Sequence, residues 1–238
     1  MPERPAPRRG SNLSMTLCGA TYDGDYCEAY GPLYIDRWPE KHATNLAILD
    51  FLIGDRSETR WLDLACGQAW HFARMAGRAR MTGVDASPAQ LAMARAAAPH
   101  AVFMEADLRA FAPEPGSFNL VTLFWGAYCY LAEWEQMARM IERAVAGLAP
   151  GGSLYIEVLP IEAIPSFNAS RFAAETGFRA RRVGHSQHWI YRDRGGFHRM
   201  LSPPATGFID LLADRFERVR LHDDGRFMRH LVAHRRTV

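Results

Sequence analysis

Lysine is almost missing from this chain. Of its 28 basic residues only Lys41 is a lysine; the rest are arginine, a bias that fits GC-rich coding. Lys41 lies outside every motif described below, so a lysine base is not expected in the reaction. Charge of one sign is missing too: 28 basic against 26 acidic residues leave +2, which argues against a protein that holds nucleic acid by bulk electrostatics. Cysteine is scarce. Cys18, Cys27, Cys66 and Cys129 form no C-x-x-C pair, so neither a structural zinc site nor a disulfide scaffold is expected. No run approaches the ~18 apolar residues of a membrane-spanning helix. The opening MPERPAPRRGSNLSM has no apolar signal core, so the expectation is a disordered tail over residues 1–14 and a cytoplasmic protein. Repeats and long linkers are absent. What is present is 238 residues, 48% hydrophobic, enough for one well-filled domain over 15–238.

Strand and helix signals alternate. Trp61–Leu64, Met81–Val84, Ala101–Met104, Leu120–Phe124 and Leu154–Val158 read as strands. Between them, helices are predicted over 41–53, 72–79, 88–98 and 134–148. Ser87-Pro88 is a strong helix start, with serine as N-cap and proline at the first helical position. Met137, Met140, Ile141, Ala144, Val145 and Leu148 share one helical face. Pro150-Gly151-Gly152 marks a turn. This alternation predicts an α/β fold, a doubly wound, mostly parallel sheet covered on both faces. Beyond residue 160 the pattern changes to a hairpin around Gly195-Gly196, a helix over 205–214 and two closing strands.

Chemistry concentrates in two places. In WLDLACGQAWHF (61–72) a buried strand runs into a tight turn of small residues and then a helix, which lets a ligand approach free backbone N–H groups. In MTGVDASP (81–88), Asp85 ends the next strand 18 residues after Gly67. A carboxylate there can accept both hydroxyls of a ribose. Together they predict a nucleoside-containing cofactor, and the dinucleotide spacing G-x-G-x-x-G is absent.

These residues resemble the class I S-adenosylmethionine-dependent methyltransferases. Asp63-Leu64-Ala65-Cys66-Gly67-Gln68-Ala69 is similar to the family's glycine-rich first motif, with Ala65 and Ala69 in place of glycines; Ala69 would be strained at positive φ. The resemblance, from about residue 20 to 160, implies a seven-stranded Rossmann-like sheet with a hairpin or cap insertion (160–202) after strand five. It implies S-adenosylmethionine as cofactor, bordered by Asp63, Ala65 and Gly67, clamped at the ribose by Asp85 with Ala86 beside the adenine. Asp107 and Leu108 would face the adenine, and Phe124 the transferring methyl. Tyr22, Tyr26 and Tyr30, at helical spacing within 20–40, would cover the methionine end. The branch it looks most like acts on small molecules, including sugar amines of natural-product pathways.

For the acceptor, FWGAYCYLAEW (124–134) begins where such pockets lie, offering Trp125, Tyr128, Tyr130 and Trp134; aromatic walls suit an apolar acceptor and stabilise a sulfonium. About half of these are expected to pack the core instead. Trp189 joins them from the insertion. His185 and His188 are the candidate general bases, with Tyr128 as a further proton acceptor, and Cys129 reads as a packing residue. No metal cluster, nucleic acid or membrane partner is expected, and the protein is expected to be a monomer or homodimer. The function so expected is methyl transfer to N or O of a small molecule in specialised metabolism. The rivals are a non-methylating step on the same cofactor, such as a cyclisation, and a degenerate binding or regulatory module.

Overall fold

A computed structural model describes residues 22, 24–55, 58–193 and 196–237; the expected tail, residues 1–14, lies outside them. Seven strands form one sheet: β1 (Arg60–Leu64), β2 (Arg80–Asp85), β3 (Val102–Glu105), β4 (Phe118–Leu123), β5 (Leu148–Val158), β9 (Phe216–Asp223) and β10 (Arg229–Arg236). Their order is β3-β2-β1-β4-β5-β10-β9. β1 to β5 pair in parallel and β10 runs antiparallel to both its neighbours.

Helices cover both faces, each closing its own core. On one side α2 (Pro39–Ile53), α3 (Trp70–Arg74) and α4 (Pro88–Ala97) bury Leu49, Ile53, Phe72 and Ala94 with Trp61 and Tyr155. On the other, α5 (Trp134–Ala146) and α8 (Ala205–Leu212) bury Met137, Ile141, Phe208 and Leu212. The helical spacing of α5 is realised: Met137, Met140, Ile141, Ala144 and Val145 all face inward. Burying each of the methionine, isoleucine and valine side chains contributes roughly 1.5–3 kcal/mol. Ser87 caps α4 by accepting from Gln90 N, with Pro88 next. Two elements depart from expectation. α3 stops at Arg74 rather than running to 79, because the chain turns through Gly77 at φ 78°. β5 begins at Leu148, and Pro150-Gly151-Gly152 is a bulge within it: Phe118 pairs with Leu148 but Leu120 with Ser153.

Between β5 and α8 the chain builds a second, antiparallel sheet of β6 (Arg179–Arg182), β7 (His188–Asp193) and β8 (Gly196–Leu201), preceded by the short helices α6 (Ile164–Asn168) and α7 (Arg171–Thr176). Trp189, Tyr191, Met200 and Leu201 join the core cluster of the α5 side. α1 (Gly24–Leu33) carries Tyr26 and Tyr30 of the tyrosine row, which Tyr22 and Tyr34 flank; Pro32 sits in its last turn, and Tyr34 N still bonds Tyr30 O. Among the described residues no helix is long and apolar enough to cross a membrane.

Candidate active site

The turn after β1 has the shape its sequence suggested. Ala65, Gly67 and Ala69 have φ of 55°, 53° and 56°, so two alanines hold a left-handed backbone that costs ~1–2 kcal/mol each. Asp85, half-buried at the end of β2, accepts from Gly67 N and Ser87 N, both at 2.9 Å. Burial pushes its carboxyl up, against the bonds from Ser87, Gly67 and Ala86. Ala86 is half-buried beside it. Gln90 Oε1, buried against this loop, has no hydrogen-bond partner among the described residues. Asp63 lies deeper: it is 2% exposed, accepts from Thr122 Oγ1 at 2.6 Å, and burial pushes it up to about 8. It braces β1 against β4 rather than facing a ligand. Asp107 is half-buried and held below the usual carboxylate range by Arg109, and Leu108 O accepts from Arg143.

α1 crosses this loop. Gln68 Nε2 donates to Cys27 O, and Ser87 Oγ to Tyr22 O at 2.8 Å. Tyr22 and Tyr30 thereby line a cavity of about 700 Å³, its open mouth included. Trp125, Tyr130, Trp189, Tyr191, Phe227 and Met228 are among its other walls, and no charged side chain among the described residues lines it. Of the aromatic run 124–134, Trp125 and Tyr130 face the cavity, while Trp134 packs on Phe208.

Four expectations are corrected. Tyr128 is fully buried and its hydroxyl accepts from Leu159 N at 2.8 Å, so it supports the wall and touches no acceptor. Phe124 is 4% exposed and stacks on His71 at 3.9 Å, in the core of the opposite face. His185 sits exposed on the turn before β7, and His188 Nε2 meets Ala132 O at 3.3 Å; neither lines the cavity. Lys41 is beside the site, not remote from it. It is 1% exposed, pairs with Glu157 Oε1 at 2.8 Å and lies 3.9 Å above the Trp125 ring.

That ion pair shapes the cavity wall. Glu157 Oε2 accepts from Trp125 N at 2.7 Å, and Asn45 Nδ2 donates to Oε1 at 2.8 Å. Trp125 and Gly126 are both left-handed, with φ of 57° and 60°. The buried carboxylate thus holds an otherwise unfavourable backbone in place. Burial pushes Glu157 up, but Lys41 and the two N–H donors outweigh it and hold its carboxyl below the usual range. Burial lowers Lys41 against the pull of Glu157.

A second polar cluster also went unforeseen. Asp193, at the end of β7, accepts from Tyr26 and Tyr34 of the N-terminal segment, both at 2.5 Å, and meets His198 Nε2 at 2.8 Å. His198 Nδ1 lies 2.9 Å from Tyr130 Oη, which also contacts Tyr22 Oη at 3.0 Å and Tyr191 Oη at 2.8 Å. The available signal was the hairpin expected around Gly195-Gly196, of which Gly195 lies outside the described residues; β7–β8 pairing sets His198 opposite Tyr191.

Residues 62–152 match a family described as a methyltransferase domain. Residues 62–152 thus form a methyltransferase domain, set in a sheet of order β3-β2-β1-β4-β5-β10-β9 with Gly67 N bonded to Asp85. The chain's relatives are similar in two ways. It is 35% identical over 116 residues to trans-aconitate 2-methyltransferase of Paracidovorax citrulli, covering 48% of this chain but 44% of that protein; the chain thus spans less than half of that relative. It is 27% identical over 193 residues to dTDP-3-amino-3,6-dideoxy-alpha-D-glucopyranose N,N-dimethyltransferase of Streptomyces fradiae, covering 79% of this chain and 75% of that one. Among solved structures it shares its fold with the amino pentose methyltransferase CalS10 of Micromonospora echinaspora, solved with S-adenosylmethionine bound (TM-score 0.63, 22% identity, 95% of this chain and 100% of that one). DesVI of Streptomyces venezuelae aligns similarly (TM-score 0.66, 20% identity, 90% and 100%). The residues here fit that cofactor: a half-exposed Asp85 at the strand end, a glycine-like backbone at Ala65 and Ala69, and the unpartnered acceptor of Gln90.

Proposed function

We propose that the protein transfers a methyl group from S-adenosylmethionine to an oxygen or nitrogen of a small-molecule acceptor in specialised metabolism. The observation that carries this reading is the cavity walled by Trp125 after β4 and by Tyr22 and Tyr30, aromatic and uncharged among the described residues, beside the loop whose Gly67 N bonds Asp85. When bound, the cofactor supplies an electrophilic methyl whose bond to sulfur breaks as the bond to the acceptor forms. Asp85 holds the ribose hydroxyls, with Ala65, Gly67 and Ala86 along the nucleoside. The chain's own part is to orient the acceptor and limit water around it, which an uncharged aromatic pocket does well. Residues 20–40 act as a cover and 160–202 as a cap, which fits their joint lining of the cavity.

The named relatives act on an amino sugar nucleotide and on trans-aconitate. Among the described residues the lining has no cationic side chain to meet a polycarboxylate, so a neutral acceptor is favoured. The retained left-handed backbone at Ala65 and Ala69 weighs against a degenerate pocket. Asp85→Ala is expected to weaken S-adenosylmethionine binding at least ten-fold by calorimetry; unchanged affinity would refute the reading. S-adenosylhomocysteine accumulating during turnover separates methyl transfer from a cyclisation.

A further inference from the structure

We propose that Tyr130, His198 and Asp193 form a proton relay that takes the proton from a neutral hydroxyl acceptor, so that the cavity serves O-methylation of an uncharged aromatic or apolar alcohol or phenol. This rests on the methyl-transfer reading above and adds to it the acceptor class and the route of the proton.

The geometry fixes a direction. Asp193 Oδ1 lies 2.8 Å from His198 Nε2 and selects the tautomer that carries its proton there; in that neutral tautomer Nδ1 is the acceptor facing Tyr130 Oη at 2.9 Å. Tyr130 then donates to His198 while its oxygen accepts from the hydroxyls of Tyr22 and Tyr191, or from an acceptor in the cavity it lines. Tyr130 is the end of the chain that an acceptor can touch, because His198 is only 2% exposed and stacks on Tyr191 at 4.1 Å. The titratable side chains facing His198 are Tyr130 from the turn after β4 and Tyr191 and Asp193 from β7; Tyr26 and Tyr34 reach the far oxygen of Asp193.

The step balances as follows. As the methyl carbon bonds to the acceptor oxygen, the acceptor's proton passes to Tyr130 Oη and Tyr130's own proton passes to His198 Nδ1. The electron pair of the broken C–S bond stays on sulfur, and the imidazolium formed is held by the Asp193 carboxylate. His198 and Asp193 act through Tyr130, and only Tyr130 touches the acceptor. An amine arriving neutral, or a carboxylate, needs no such base. A buried histidine–carboxylate pair ending on a cavity-facing hydroxyl is what a hydroxyl acceptor needs.

The test uses the full chain saturated with S-adenosylhomocysteine and 7-hydroxy-4-methylcoumarin as probe, its ionisation followed by absorbance across pH. The phenol should bind and should resist displacement by trans-aconitate. Its ionisation midpoint should lie at least one pH unit lower on the wild type than on His198→Gln or Tyr130→Phe. Tyr130→Phe keeps the ring and guards against a His198 variant that fails to fold. A midpoint the same in the wild type and both variants would overturn the relay, and failure of the phenol to bind would overturn the acceptor class. Calorimetry with S-adenosylmethionine is run on the same samples. Lost cofactor binding in the wild type sinks the methyl-transfer reading, whereas intact cofactor binding with unshifted midpoints sinks only the relay.

Discussion

Replacing Lys41 by methionine strands the Glu157 carboxylate in the interior. Its remaining partners are Asn45 Nδ2 at 2.8 Å and Trp125 N at 2.7 Å. Two routes are open. The ion stays charged, and breaking a buried pair costs about 3–5 kcal/mol. Otherwise Glu157 takes up a proton; from an ordinary value of 4.5, doing so at pH 7 costs about 3.4 kcal/mol at 1.36 kcal/mol per pH unit. The cheaper route sets the loss, so Lys41→Met should lose about 3 kcal/mol. For a chain of this size that is a fall in Tm of roughly 6–12 °C. The sign with pH follows. Glu157 is depressed in the native protein, so its contribution is present above its unfolded value and lost as pH falls through the folded one. In Lys41→Met the depression is gone, and the deficit against wild type should narrow as pH drops from 7 towards 4.5. Adding Glu157→Gln keeps an acceptor for Trp125 N and removes the charge, which should bring stability back to within about 1.5 kcal/mol of wild type. Urea melts of the three proteins at pH 5 and 7 decide it. A single variant that loses under 1 kcal/mol, or a double variant no better than the single, refutes the reasoning.

Three further outcomes follow from other buried groups. Asp63, raised to about 8 in the fold, contributes stability that is full below its unfolded value near 3.8 and lost as pH rises through about 8; Asp63→Asn should flatten the wild type's decline over that window in denaturant melts. Tyr128→Phe leaves Leu159 N–H without its 2.8 Å acceptor and should cost about 1–3 kcal/mol while S-adenosylmethionine affinity holds, as calorimetry would show. Gly83→Ala would place a methyl 2.7 Å from Cys66 Sγ and 2.9 Å from Phe103. It should destabilise by about 1–3 kcal/mol and weaken cofactor binding through the shifted Cys66, which thermal melts with and without cofactor would separate.

The fold was legible because its signals are local. Ser87-Pro88 starts a helix by its own chemistry, and the apolar face of α5 needs only its own spacing. The cofactor loop was legible for the same reason: Gly67 and Asp85 meet through one strand pair whose ends the sequence marks. What stayed hidden depends on distant register. Lys41 gains its partner 116 positions away, where β5 brings Glu157 under Trp125. His198, not His185 or His188, reaches the cavity network, because the hairpin pairing carries it there. Tyr128 and Tyr130 stand two residues apart in one helical turn (Ala127–Tyr130), yet one points into the core and the other into the cavity. Composition alone could not divide them.

The solitary lysine has a practical consequence. In most proteins, amine-reactive reagents label a crowd of surface side chains and report little. Here the only side-chain amine is Lys41, 1% exposed beneath Trp125. The folded protein therefore offers such reagents no accessible lysine, and acylation of Lys41 clocks the opening of the wall behind the cavity. Slower labelling with cofactor or acceptor present would measure how far each holds that wall shut, without any assay of turnover.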